Sequence, residues 1–215
     1  MKTKKQILRI TRTAMLLGLT VAAQYFIQIL LGATIVSQLI TGSLVNMFLI
    51  LSALICGFWS GFSIAVIVPF ISLAIGRMPH IWLIPFIMLG NLAIVFAFWA
   101  ICGRKVYDMS IRFFSLNWAG ASIAGALLKF MVLYFGVTKI FINFILVNDS
   151  ALKAPQIAKM TSVITFNYSF PQLATALLGS ILVYMTYPVL KKAVINNQTN
   201  QTNQSETKKK ANVKN

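Results

Sequence analysis

Six long apolar runs, each set off from the next by polar, charged or turn-forming residues, dominate the chain: 10–31, 40–58, 61–75, 81–102, 116–137 and 163–190. A hydrocarbon layer ~30 Å thick is crossed by about 20 apolar residues in a helix. Backbone groups in that layer find no water, so a continuous apolar segment has to satisfy its own N–H and C=O groups as a helix. The pattern therefore predicts an all-α integral membrane protein, a bundle of six transmembrane helices. The third run is short and contains Pro69, which should bend it, and Pro171 should kink the sixth. The stretch 138–162 is too long for a simple turn. Its apolar opening, 140–147, suits either an interfacial helix or an extension of the fifth span. No internal repeat is evident. The expected organisation is a basic amino terminus (1–9), a membrane domain (10–192) and a polar, basic tail (193–215). The tail is too poor in apolar residues to fold and is expected to be disordered.

Composition sharpens the class. The chain is 58% hydrophobic and 10% charged, against about 25% charged in a soluble domain. Nineteen Lys and Arg face three acidic residues, Asp108, Asp149 and Glu206, for a formal charge of +16. The basic residues gather at helix ends and termini. That points to membrane orientation and anionic lipid rather than nucleic acid. Six spans put both termini on one side. With both termini cytoplasmic, 14 basic residues lie inside and four (Arg77, Lys139, Lys153 and Lys159) outside, with Lys129 left within a span. The positive-inside rule selects that orientation. The first apolar run is too long for a signal-peptide core and is expected to be a first membrane helix. Cys56 and Cys102 sit in apolar runs without metal or disulfide spacing and are expected to be buried free thiols. Trp59, Trp82, Trp118 and Tyr187, near span ends, suit interfacial belts.

Under this orientation the polar side chains within the spans fall almost entirely in the outer half. They are Gln24 and Gln28, then Thr41, Ser43 and Asn46, Asn91, Lys129, Tyr134, Asn167, Tyr168 and Gln172, with Gln38 in the loop after the first run. Arg77, His80 and Trp82 occupy the adjoining outer loop. Polar groups in hydrocarbon are costly and mark cavities or partners, so the one-sided cluster predicts an outward-opening pocket. Candidate substrate-binding residues are Lys129, Asn46, Asn91, Asn167, Gln172, Gln38, Arg77, His80 and Trp82. Each asparagine serves equally well as a helix–helix hydrogen bond. Lys129 lies eight residues from the end of its apolar run, ~12 Å at 1.5 Å per residue. It shares a face with Ser122, Gly125 and Ala126, and no span carries an acid to pair with it. A ligand anion, water or a backbone carbonyl would have to meet its charge, the amine would have to give up its proton, or the side chain would snorkel outward. On the first helix, Ala14, Gly18 and Ala22 recur every four residues, a small-residue face suited either to docking another membrane subunit or to packing within the bundle. Gly57 and Gly61 flank a turn and are expected to serve a tight connection.

Taken together, the chain resembles the substrate-binding S component of bacterial energy-coupling factor (ECF) transporters over residues 8–192. The resemblance rests on six spans, basic ends, the Ala14, Gly18 and Ala22 motif, and the stretches QLITGSLVN (38–46) and IPFIMLGN (84–91). It is closest to members without an assigned substrate. It implies a bacterial plasma-membrane protein that binds a vitamin or similar micronutrient tightly and needs no cofactor. It further implies docking through the first helix, at Ala14, Gly18 and Ala22, onto a coupling subunit carried on two ATPases. The chain has no phosphate-binding Gly-rich loop of its own. One histidine and no acid within a span leave little for an enzyme or an ion-coupled permease. A membrane scaffold without a transported solute, or a stand-alone small permease, is the alternative.

Overall fold

The computed structural model describes residues 2–103, 111–149, 152–186 and 189. All regular structure among them is helical. Helix α1 runs Lys2–Leu31. Helix α2, Ile35–Leu51, continues through a wider turn, Ser52–Cys56. Helix α3 is Phe58–Ala74. Helix α4, Ile84–Phe98, is preceded by a tight turn at Ile81–Leu83 and extended by Trp99–Gly103. Helix α5, Ile111–Leu133, continues in wider turns over Tyr134–Leu146. Helix α6 is Ala154–Asn167, and α7 covers 170–186 after a break at Tyr168 and Ser169. The expected tail (193–215), Tyr187, Asp108 and the basic residues at 104–105 lie outside the described residues.

Among the described residues, five stretches are long and apolar enough to cross a membrane: Gln6–Leu31, Ile35–Cys56, Ile81–Gly103, Leu116–Leu146 and Ala154–Thr186. The sixth apolar helix, α3, has 17 residues, ~26 Å at 1.5 Å per residue. The region 138–162 resolves into an extension of α5 as far as Leu146, a short connection, and the start of α6 at Ala154. The last segment thus begins nine residues before its apolar run, because polar Gln156, Lys159 and Thr161 interrupt the hydropathy without interrupting the helix. Pro155 lies at its start, where a missing N–H costs nothing. The side-chain oxygen of Gln156 accepts from the Lys153 N–H at 2.9 Å. Instead of kinking one helix, Pro171 sits in the first turn of α7.

Helix α4 is central, packed chiefly on α5 and α3, while α1 leans on α2 and α3. One apolar core gathers Leu49–Leu51, Ile64, Ile94, Val95, Phe98, Cys102, Trp118 and Ala121. A second, built on Leu83, Leu133, Val137, Phe141, Leu146 and Ile164, joins the α5 extension to α4 and α6. Trp118 belongs to the first core at 4% exposure, its ring on Phe98 and Tyr184, and is not an interfacial residue. Trp59 and Trp82 are exposed, and both cysteines are buried and free. Gly57 turns the chain between α2 and α3 at φ +92°, a conformation that favours glycine. Gly61 serves packing instead: a Cβ there would stand 2.8 Å from Val95 of α4.

A close seam joins α7 to α2. A Cβ on Gly179 would fall 2.6 Å from the Asn46 Cβ and 2.8 Å from the Ser43 carbonyl oxygen. Backbone cannot retreat as a flexible side-chain tip can. Gly179→Ala is therefore expected to cost about 1–3 kcal/mol, the range for overpacking. Gly18→Ala, with open space at its Cβ, should be near neutral. Denaturant titration of both variants in micelles checks the contrast, and equal stability would rule out the seam.

Candidate functional site

The three-helix contact at Lys129 anchors the site. Its ammonium donates to Asn46 Oδ1 at 2.6 Å and to Asn91 Oδ1 at 2.9 Å, linking α5 to α2 and α4. Lys129 is 4% exposed, Asn91 2% and Asn46 fully buried. Ser122, Gly125 and Ala126, on the same face of α5, are buried with it. The Asn46 amide donates onward to Thr175 Oγ1 at 3.4 Å. Side-chain amide oxygens thus meet the lysine charge, a pairing that the amide positions alone did not disclose.

The depth of this contact differs from the sequence expectation. Because α5 continues to Leu146, Lys129 is the fourteenth of 31 residues in Leu116–Leu146 rather than eight from an end. Asn46 is the twelfth of 22 in Ile35–Cys56, and Asn91 the eleventh of 23 in Ile81–Gly103. All three sit at mid-bundle.

On the side of this level that carries Arg77, a cavity of about 540 Å³ opens between the helices. That lies within the ~300–1,000 Å³ of small-molecule sites. Helices α1 to α7 all contribute: Gln24 and Gln28, Gln38 and Thr41, Ser72, Asn91, Lys129, Asn167 and Gln172 are in its wall, with Arg77 and Tyr168. Apolar wall comes from Ile35, Val45, Val68, Met78, Ile87, Leu133 and Ile164. Residues of the connecting segments, Ala33, Thr34 and Arg77–Pro79, bring it to that end of the bundle. Across the Lys129 level, Leu49–Leu51, Ile94, Val95, Phe98 and Ala121 close it off with buried apolar side chains.

Local structure explains the polar wall. The break after α6 leaves carbonyls without helical donors. The Asn167 carbonyl accepts from Gln38 Nε2 at 3.1 Å and from Gln172 Nε2 at 3.2 Å. Thr34 caps α2, accepting from the Ser37 N–H. Arg77 Nη1 donates to Gln28 Oε1 at 3.0 Å and more weakly to Ser37 Oγ at 3.5 Å. Burial lowers the Arg77 pKa from the ordinary guanidinium value, opposed by the nearby Tyr168, and an arginine stays cationic throughout the aqueous range. The Ser72 hydroxyl shares its one proton between Gln24 Oε1 at 2.7 Å and the Val68 carbonyl at 3.0 Å. Two buried polar groups in the wall, Gln24 Nε2 and Thr41 Oγ1, find no partner among the described residues.

Six candidates named from the sequence line the cavity: Lys129, Asn91, Asn167, Gln172, Gln38 and Arg77. Asn46 stands behind Lys129 and outside the lining. His80 and Trp82 also lie outside it. His80 Nδ1 accepts from the Trp82 N–H at 3.3 Å, which leaves the proton of a neutral ring on Nε2, 3.3 Å from Asp149 Oδ2. Its ring stacks edge-on to Phe141. That arrangement ties the segment after α3 to the end of the α5 extension, and Trp82 is exposed beside it. Gln24, Gln28, Thr41, Ser72 and Tyr168 are wall residues that the candidate set left out. Ser72 alone lacked a signal, since a lone serine in an apolar helix reads as a self-capped hydroxyl. Among the described residues, no cluster of three or more His, Cys, Asp or Glu side chains could hold a metal ion.

An apolar helical bundle with a polar, one-ended cavity and a closed far side suits a membrane protein that binds a small solute. A family model described as ECF transporter, substrate-specific component, matches residues 8–191, and the chain belongs to that family. Its members are substrate-binding membrane components of uptake systems rather than enzymes, working with the other subunits of an ECF transporter. Neither a curated protein nor a solved structure matches the chain.

Proposed function

We propose that this chain is the high-affinity binding subunit for uptake of a vitamin or similar small micronutrient across a bacterial plasma membrane. It crosses the membrane six times, both termini are cytoplasmic, and the cavity faces out. Loaded, it docks through α1 onto the ECF coupling subunit and its two ATPases. The observation that carries this reading is the cavity, polar toward the Arg77 end and stopped at mid-bundle by apolar packing. Such a site holds a solute but offers no continuous polar path across, so release on the other side requires partner subunits.

Denaturing the purified chain should release one water-soluble small molecule in near-stoichiometric amount, identified by mass spectrometry. Cells co-expressing the chain with a coupling subunit and ATPases should accumulate that molecule, and inactivating the ATPases should stop it. Accumulation by the chain alone at the full rate would replace this reading with a stand-alone permease.

A further inference from the structure

The geometry points to an organic oxyanion as the occupant of the cavity, a small amphipathic molecule whose carboxylate or phosphate is received by Lys129, Gln24 and Thr41. This deepens the proposed function and rests on it. Among the described residues, the cavity wall holds two cationic side chains, Lys129 and Arg77, and no carboxylate. The oxygens that meet Lys129 belong to neutral amides. They satisfy two of its three donors and leave its unit charge uncancelled. Buried charge without a counter-charge is among the costliest arrangements in a protein, and an incoming anion removes that cost.

Two further buried groups have unmet hydrogen-bonding capacity, and both can donate. The Gln24 oxygen meets the Ser72 hydroxyl, which shares its one proton between Gln24 and the Val68 carbonyl, and the nitrogen end of the Gln24 amide is buried and unpartnered. Gln24 is 1% exposed and Thr41 5%, and the Thr41 hydroxyl is likewise unpartnered. Gln38 and Gln172 commit amide donors to the Asn167 carbonyl. The fully buried wall groups with unmet hydrogen-bonding capacity are thus Lys129, Gln24 and Thr41. A buried donor left unmatched costs about 1–3 kcal/mol. An oxyanion offers several acceptor lone pairs to such donors, whereas an ammonium ligand would meet two like charges. The Ile35, Val45, Val68, Met78, Ile87 and Leu133 wall takes the rest of the molecule.

The test needs no prior identity for the ligand. The low-mass fraction of yeast extract is split on a strong anion exchanger, and each pool is added to the purified full chain in micelles while its thermal unfolding is followed. Stabilising activity should reside in the retained pool. Phosphatase treatment separates the two sources: activity destroyed means a phosphate ester, activity surviving means a carboxylate. Lys129→Gln should need at least tenfold more of the retained pool for the same shift. Because that change also disturbs a helix contact, Thr41→Val and Gln24→Leu, which leave the Lys129 bonds intact, should each weaken the response. Activity in the unretained pool overturns the oxyanion assignment while leaving a solute-binding subunit in place, as does an unchanged response in all three variants. Activity only in a chloroform extract marks a lipid and also overturns it. No stabilisation by any pool, with nothing released on denaturation, overturns both readings.

Discussion

Replacing Asn46 and Asn91 together by Leu should destabilise the bundle more than any change to Lys129 itself. The double variant keeps the ammonium at mid-bundle and removes both oxygens that accept from it. Stranding one partner of a buried charged contact costs about 3–5 kcal/mol. Lys129→Met removes the charge instead and leaves neutral amides, whose loss of a bond costs nearer 1–3 kcal/mol. The triple variant, with Met at 129 and Leu at 46 and 91, should regain much of what the double variant loses, since no unpaired charge remains. Unfolding titrations of the four proteins in one detergent give the comparison directly. A double variant as stable as the parent would mean that Lys129 is held by something other than these amides, and the mid-bundle clamp would be wrong.

The second large effect is on transport. Only 11% of the apolar window of α1 is buried, against 56% for the Ile35–Cys56 stretch. Ala14 and Gly18 are exposed, and a Cβ on Gly18 meets no atom within 4 Å. Met15, Leu19 and Phe26 beside them are exposed as well. A large side chain at 18 therefore fits the isolated chain without a clash. Gly18→Trp should leave ligand-induced thermal stabilisation unchanged while reducing uptake by the assembled transporter to background, because small residues are what let a partner helix come close. Ala14→Leu and Ala22→Leu should act in the same direction, with Ala22, half-buried, less cleanly. Loss of ligand binding in Gly18→Trp would instead assign the stripe to internal packing. Uptake at the parent rate would remove α1 from the docking surface.

How far the sequence led differs between fold and site. Six apolar runs mapped onto the helices because hydropathy along a chain reports directly on burial in hydrocarbon. Where ends fell wrong, the cause is local: the α5 extension and the α6 start carry polar residues such as Lys139, Gln156 and Lys159, which lower hydropathy while the backbone stays helical. The small-residue spacing of Ala14, Gly18 and Ala22 located a face but gave no sign of whether it was covered. Among the polar residues, type and depth singled out Lys129 and Asn91, since each is costly to bury and so has to meet a partner or a cavity.

Membrane class, helical bundle and a cluster of polar groups toward one end follow from the sequence alone, because each depends on what neighbouring positions along one helix share. Which polar groups touch was decided only by tertiary structure. Lys129 and Asn46 are 83 positions apart, and no periodicity links helices that pass each other in space. The same packing turned Asn46 inward behind the lysine and drew His80 to Asp149 outside the cavity. It also left Gln24 Nε2 and Thr41 Oγ1 facing a space without a hydrogen-bond partner among the described residues, since hydrogen bonds are set by distance and direction in three dimensions.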